Sequence, residues 1–222
     1  MLPTSAPEIF RQLADKLTCV SEEGFFQHLV RSLTGILGVD HAVVEYVDSR
    51  QDTVSTLAAW SQGEFIETAP YSLQSTPCQQ VAEHSRLFVP ASARQQFPDD
   101  QRLDSLSVEG YLGISIAAPG GGFLGAIALM HSSVLELPSY ADEVLRISAA
   151  LAGAELARQL AESQTRERLL YKQQALQRIG RHNTALINTI NEQQRFQHAV
   201  VSLATAVSTE NGEAFLRRLT AH

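Results

Sequence analysis

The sequence predicts an α+β fold: an antiparallel sheet flanked by helices and followed by one long helix. Three observations carry that expectation. Apolar residues recur at helical spacing up to residue 38, alternate with period two in blocks between residues 42 and 130, and return to helical spacing from Ser139 onward. The strand-like blocks are joined in pairs by turn-forming residues, Asp48-Ser49-Arg50-Gln51-Asp52 and Pro119-Gly120-Gly121-Gly122. No proline interrupts the last segment.

Each element follows in order. Ile9, Leu13 and Leu17 mark one face of a short helix over residues 7–18. Ser21 is placed to cap a second helix that buries Phe25, Phe26, Leu29, Leu33 and Ile36, and Gly38 is placed to end it in a left-handed turn. Residues 42–47 and 53–60 read as a hairpin. Gln74 to His84 reads as a short helix opening at Ser75-Thr76-Pro77, where a first-turn proline sacrifices no hydrogen bond. Residues 86–90 read as a short strand closed by Pro90, and residues 91–107 as an irregular polar stretch anchored by Phe97-Pro98. Residues 111–117 and 123–130 form a second hairpin. A further strand is expected near Phe65-Ile66-Glu67, after a turn at Ser61-Gln62-Gly63.

In the long helix, Leu169, Leu176, Asn183 and Ile190 recur every seven residues. Lys172, Ile179, Leu186 and Gln193 fill the positions three later. This is a coiled-coil seam with polar breaks, and a buried Asn at position 183 favours a parallel, in-register homodimer. The tail resembles the head: Leu203 to Ser208 aligns with Leu13 to Thr18 at an offset of 190 residues, and Phe215, Leu216 and Leu219 align with Phe25, Phe26 and Leu29. Both copies read as helix, polar break, helix. The expected organisation is a sensory domain over residues 1–160, a coiled-coil linker over 161–197, and the start of a second, similar domain over 198–222, continuing beyond His222.

Composition narrows the function. The chain has 222 residues, 44% of them hydrophobic and 18% charged, with a net charge of −7. An acidic balance without basic clusters argues against nucleic acid and anionic membrane surfaces as partners. The N-terminus shows no basic segment leading into an apolar run, no stretch has the length of a membrane span, and the two cysteines form no disulfide framework, so a cytoplasmic protein is expected.

The order of elements resembles the GAF domain family, a PAS/GAF-type architecture. So do local stretches: Val108-Glu109-Gly110-Tyr111-Leu112-Gly113-Ile114-Ser115-Ile116, Leu124-Gly125-Ala126-Ile127-Ala128-Leu129, Thr76-Pro77-Cys78-Gln79-Gln80-Val81, and Phe97-Pro98 followed by Asp99, Asp100 and Leu103. The likeness covers about residues 8–160. It implies a six-stranded sheet with the first and last helices on one face and a ligand or pseudo-ligand pocket on the other. It also implies a homodimer formed through the N- and C-terminal helices, in which the C-terminal helix signals to a downstream output domain of a bacterial-type protein. The glycine at position 125 would let the facing backbone come close.

Trp60, Phe88, Phe97, Leu106, Tyr111 and Met130 are the bulky residues placed to line that pocket, around a small molecule or filling it with none. The cofactor is not named by any motif. Cys78 is followed by Gln79 where bilin-carrying relatives have histidine, and with no basic residue near it in sequence it reads as a small buried side chain. Free-methionine-sulfoxide reductases of this fold use several cooperating cysteines, which Cys19 and Cys78 do not supply. His41, His84 and His131 lack ligand spacing and read as surface or loop residues, and His182 lacks a phosphoacceptor's context. With no phosphate loop, nucleophile elbow or carboxylate pair, the expectation is a non-catalytic sensing and dimerising module. A structural dimerisation spacer is the alternative, and a cysteine-dependent redox enzyme a distant third.

Overall fold

The computed structural model describes residues 24–48, 50 and 52–220. The helix expected over residues 7–18, the cap Ser21 and Cys19 lie outside them. The chain divides into two compact units, Met1–Ala161 and Glu162–His222.

In the first unit, helix α1 (Phe25–Leu37) buries Phe26, Leu29, Val30, Leu33, Ile36 and Leu37, a stripe at spacings of three and four. It stops at Gly38, whose φ of 69° is left-handed and whose N–H donates to the Thr34 carbonyl. Strand β1 (His41–Asp48) then enters the middle of the sheet. It pairs antiparallel with β2 (Thr53–Ser61) on one side and with β7 (Phe123–His131) on the other; β7 pairs with β6 (Gly110–Ala117), and β6 with β5 (Arg86–Val89).

Outside β2 run two short strands, β3 (Glu64–Phe65) and β4 (Tyr71–Ser72). They are one edge strand with a gap. Trp60 pairs with Phe65, and seven residues away on both chains Thr53 pairs with Ser72, so the register is common to both ends. The expected sixth strand position is therefore occupied. Pairing lapses near Pro70, which has no N–H to give to a ladder.

The sheet separates two cores. On one face α1 and the first turns of helix α5 (Ala141–Leu219) cover Ala42, Val44, Leu112, Ile127 and Leu129. On the other, Val43, Val47, Ala59, Tyr111, Ala128 and Met130 pack against α2 (Pro77–His84), α3 (Ala93–Gln96) and α4 (Gln101–Ser105). Thr76 caps α2, its hydroxyl accepting from Gln79 N–H at 3.4 Å. The polar stretch 91–107, expected to be irregular, instead holds α3 and α4. Each is only four or five residues long, too short to leave a periodic signal.

The second unit is the rest of α5. Leu169, Leu176, Ile179, Asn183, Leu186 and Ile190 are all exposed along it. The polar break expected between Ser208 and Phe215 is absent: the helix runs through to Leu219. A lone Gly212 with no proline costs only about 1 kcal/mol, too little to stop a helix already under way.

β7 approaches β1 unusually closely at Gly125, where a Cβ would lie 1.9 Å from the Glu45 carbonyl oxygen. Gly125→Ala must therefore displace backbone at the sheet centre, and urea denaturation should show a loss of about 2–3 kcal/mol. Gly180→Ala, on a helix with open space around its Cβ, should shift the midpoint less and in the opposite direction.

Candidate functional site

On the face covered by α2, α3 and α4, one carboxylate interrupts the apolar surface. Glu45 lies between Val43 and Val47 on β1 and is only 2% exposed. A bulge places it. The β1–β2 register shifts at Val44/Glu45, so that Leu57 is the extra residue on β2 and packs with Ala58 against the helical face. Thr56 is left directly opposite Glu45.

A buried carboxylate needs hydrogen-bond donors and a counter-charge. Both come from the covering segments. Tyr71, on β4, donates its hydroxyl to Glu45 Oε1 at 2.8 Å. Arg102, in the first turn of α4, donates from Nη1 to the same oxygen at 2.6 Å. Arg102 also grips Asp100 with two parallel bonds, Nε to Oδ1 at 2.9 Å and Nη2 to Oδ2 at 2.6 Å. Asp100 in turn caps α4, accepting from the backbone N–H of Arg102 at 3.1 Å. The guanidinium lies over the face of the Tyr71 ring, with Cζ 3.4 Å from the ring centroid. Thr68 donates its hydroxyl to that of Thr56 and ties the edge-strand gap to β2.

The electrostatics follow from this packing. Burial pushes the Tyr71 phenol far above its ordinary range, and the Glu45 charge pushes the same way. Burial alone would weaken the charge on Arg102, but the bonds to Asp100 and the charge of Glu45 outweigh it and hold the guanidinium firmly protonated. Cys78 is buried close enough to feel Glu45, Arg102 and Tyr71. No basic residue is near it in sequence, but Arg102, held on Glu45, comes within electrostatic reach of it in the fold. Burial and Glu45 still raise the thiol well above its ordinary value, leaving it protonated and unreactive.

Glu45, Arg102, Thr56 and Thr68 line a cavity of about 30 Å³ together with Val43, Ile66, Leu103, Leu106, Tyr111, Ala128 and Met130. Of the six residues expected at the pocket, Leu106, Tyr111 and Met130 are therefore on its wall. Phe97 is buried in the same core but does not reach the cavity. Trp60 and Phe88 are elsewhere. Ala59 faces the cavity side, so its neighbour Trp60 faces α1, where it meets the Arg31 guanidinium at 5.3 Å and the Phe65 ring edge-on at 4.6 Å. Leu87 and Val89 point inward, which turns Phe88 outward beneath Arg86. The residues that carry the polar chemistry, Glu45, Tyr71, Asp100 and Arg102, were not singled out for it from the sequence. An acid flanked by inward-facing valines at positions two away was the signal that would have found Glu45.

The histidines also need correction. His41 is not a surface residue: it is 1% exposed at the start of β1, and its Nδ1 lies 2.8 Å from Ser61 Oγ. His131 Nδ1 lies 2.8 Å from Asp40 Oδ2, while Ser132 donates to that oxygen from its backbone N–H at 2.9 Å. Burial works against the Asp40 charge, but the two bonds from Ser132 prevail and hold its carboxyl below the ordinary value. His84 is exposed.

The GAF domain family profile matches residues 21–156. Among solved structures, the GAF domain of an Acinetobacter phosphoenolpyruvate-protein phosphotransferase superposes with a TM-score of 0.58 at 13% identity, over 71% of this chain and 96% of that one. The GAF domain of the corresponding Coxiella burnetii protein gives 0.57 at 16% identity, over 71% and 95%. The chromophore-binding domain of a Stigmatella aurantiaca bacteriophytochrome gives 0.54 at 15% identity, over 68% of this chain and 59% of that one. No curated protein matches significantly.

Burial lowers the affinity of His41 for its proton below the ordinary value of 6.5, more than the nearby Asp40 charge restores. As pH falls, the unfolded chain therefore takes up that proton first. The stabilisation is complete above about pH 6.5 and is lost as pH falls through the lower folded value. Urea midpoints should drop as pH falls below about 6.5, and His41→Gln should flatten that slope. The contribution of Asp40 has the same sign but begins to be lost only below the ordinary carboxylate value of 3.8.

Proposed function

The chain belongs to the GAF domain family, whose members are sensory and regulatory modules, and from that premise we propose that it is a non-catalytic, small-molecule-sensing input module of a cytoplasmic signalling protein. The observation that carries this reading is the Glu45–Arg102–Asp100–Tyr71 network. A packed spacer has no need of an ionised group in the middle of its central strand, where well-fitted apolar residues serve stability as well or better. Strongly perturbed groups around one cavity are the usual mark of a site. The small size of that cavity favours a second reading, a dimerisation spacer whose pocket is filled by its own side chains.

The output side of the proposal rests on α5. Its first turns pack in the domain core through Val144, Leu145 and Leu156, and the same helix continues to Leu219. Leu176 and Leu169 are exposed by 69% and 61%, and Ile179, Leu186 and Ile190 by about half, on the heptad positions that a second copy would cover. A parallel homodimer through this seam, with Asn183 setting register, would pass a change in the domain to a covalently linked output domain as a shift between two helix packings. Its polar breaks at Lys172, Asn183 and Gln193 keep such packings close in energy.

Two measurements test the proposal. Thermal-shift and native mass spectrometry with nucleotides, amino acids and tetrapyrroles should identify a ligand that raises Tm in a saturable way; silence throughout would favour the spacer. In sedimentation, the full chain should be dimeric, and Asn183→Leu should tighten the dimer by about 1 kcal/mol or more, since a buried Asn at such a position trades stability for register. Unchanged association would remove the seam from the account.

A further inference from the structure

This inference rests on the sensing reading and names the class of ligand. A cavity of about 30 Å³ is on the scale of one water molecule and too small for an organic ligand. An organic ligand must take the place of a side chain already present. That side chain is Arg102, which lines both the inner cavity and an outer groove of about 450 Å³ between residues 68–76 and 99–101.

The hydrogen bonds show how the site would divide. Arg102 holds Asp100 through two nitrogens and Glu45 through one. If the guanidinium swings outward with Asp100, those two leave as a neutral pair. Glu45 stays behind, buried, with its charge uncompensated. A neutral occupant would leave that charge bare, and an anion would double it. An occupant that brings positive charge on N–H donors restores the balance. The Tyr71 ring fixes its shape: a flat cation can lie where the guanidinium now lies, on the aromatic face. The groove leading inward is acidic at Asp99 and Asp100, and Arg102 is the one cation among its lining residues.

We propose that the Glu45 cavity is a receptor for a small planar cation, a guanidinium, amidinium or protonated amino-heterocycle head group, and that Arg102 is a tethered occupant which this ligand displaces. Arg102 then sets the affinity threshold of the module. A tethered competitor reduces the fraction of molecules able to bind, and its removal strengthens apparent binding by the same factor.

The test uses the full chain, with methylguanidinium and acetamidinium as probes and acetamide and acetate as matched neutral and anionic controls, read by thermal melting and titration calorimetry. The cations should raise Tm saturably and the controls should not. Arg102→Ala should bind methylguanidinium about tenfold or more tighter than wild type, and Glu45→Gln should abolish the response. Should Arg102→Ala fail to fold, Arg102→Lys keeps the charge without the flat bridging geometry and should still bind more tightly than wild type. Equal shifts with acetamide or acetate, a cation response that survives Glu45→Gln, or folded Arg102 variants that bind no better than wild type would overturn the proposal. An anionic or neutral hit in the broad ligand screen, with the cations inert, would overturn the ligand class and leave the sensing reading standing. Silence of wild type and both Arg102 variants toward every compound would overturn both.

Discussion

A single carboxylate on a central strand organises one face of this domain. Glu45 cannot be hidden beside Val43 and Val47 unless donors and a positive charge come to it, and the segments that supply them have little stability of their own. β3 and β4 are two residues each, and α3 and α4 are four and five. Such pieces do not form in isolation. Tyr71 and Arg102 therefore do two things at once: they satisfy the buried charge, and they fasten the covering to the sheet. The order of the covering and the electrostatic state of the cavity are the same variable.

The opposite face is built on another principle. Leu29, Val30, Leu33, Ile127, Leu129 and Leu145 are fully buried between α1, the sheet and α5 with no ionised group among them. Packing of that density resists deformation and transmits displacement rather than absorbing it. The sheet thus has one side closed over a buried ion pair and one that is purely apolar, and α5 starts on the apolar one. Gly125 belongs to this rigidity, since the close approach it permits fixes β7 against the backbone of Glu45 itself.

Where periodicity carried the information, the sequence was transparent. The apolar stripe of α1, the left-handed stop at Gly38, the two hairpins and the proline-free run into α5 follow from residue type and spacing alone. The site was only partly legible. Tyr111 and Met130 follow from strand position and Leu106 from the covering loop, but Trp60 and Phe88 do not fit, because size was weighed above parity: each has a neighbour, Ala59 or Val89, that takes the inward position. The bulge at Leu57 leaves no turn residue to announce it. Arg102 sits on a five-residue helix whose cap, Asp100, reads in sequence as part of a loop. His41 looked peripheral because histidine usually is, and only the tertiary packing around β1 encloses it. In the tail, a polar run containing Gly212 suggested a break that helix cooperativity overrides.

The interrupted edge strand has a consequence for how reliably this domain assembles. Short outer strands are prone to slip, and a slip of one residue turns every side chain to the wrong side. Here the pairings at Trp60–Phe65 and Thr53–Ser72 act as two clamps on one ribbon. Neither can slide without breaking the other, and the Thr68–Thr56 hydroxyl bond holds the length between them to β2 as well. The gap thus interrupts the ladder without letting the ribbon lose its alignment.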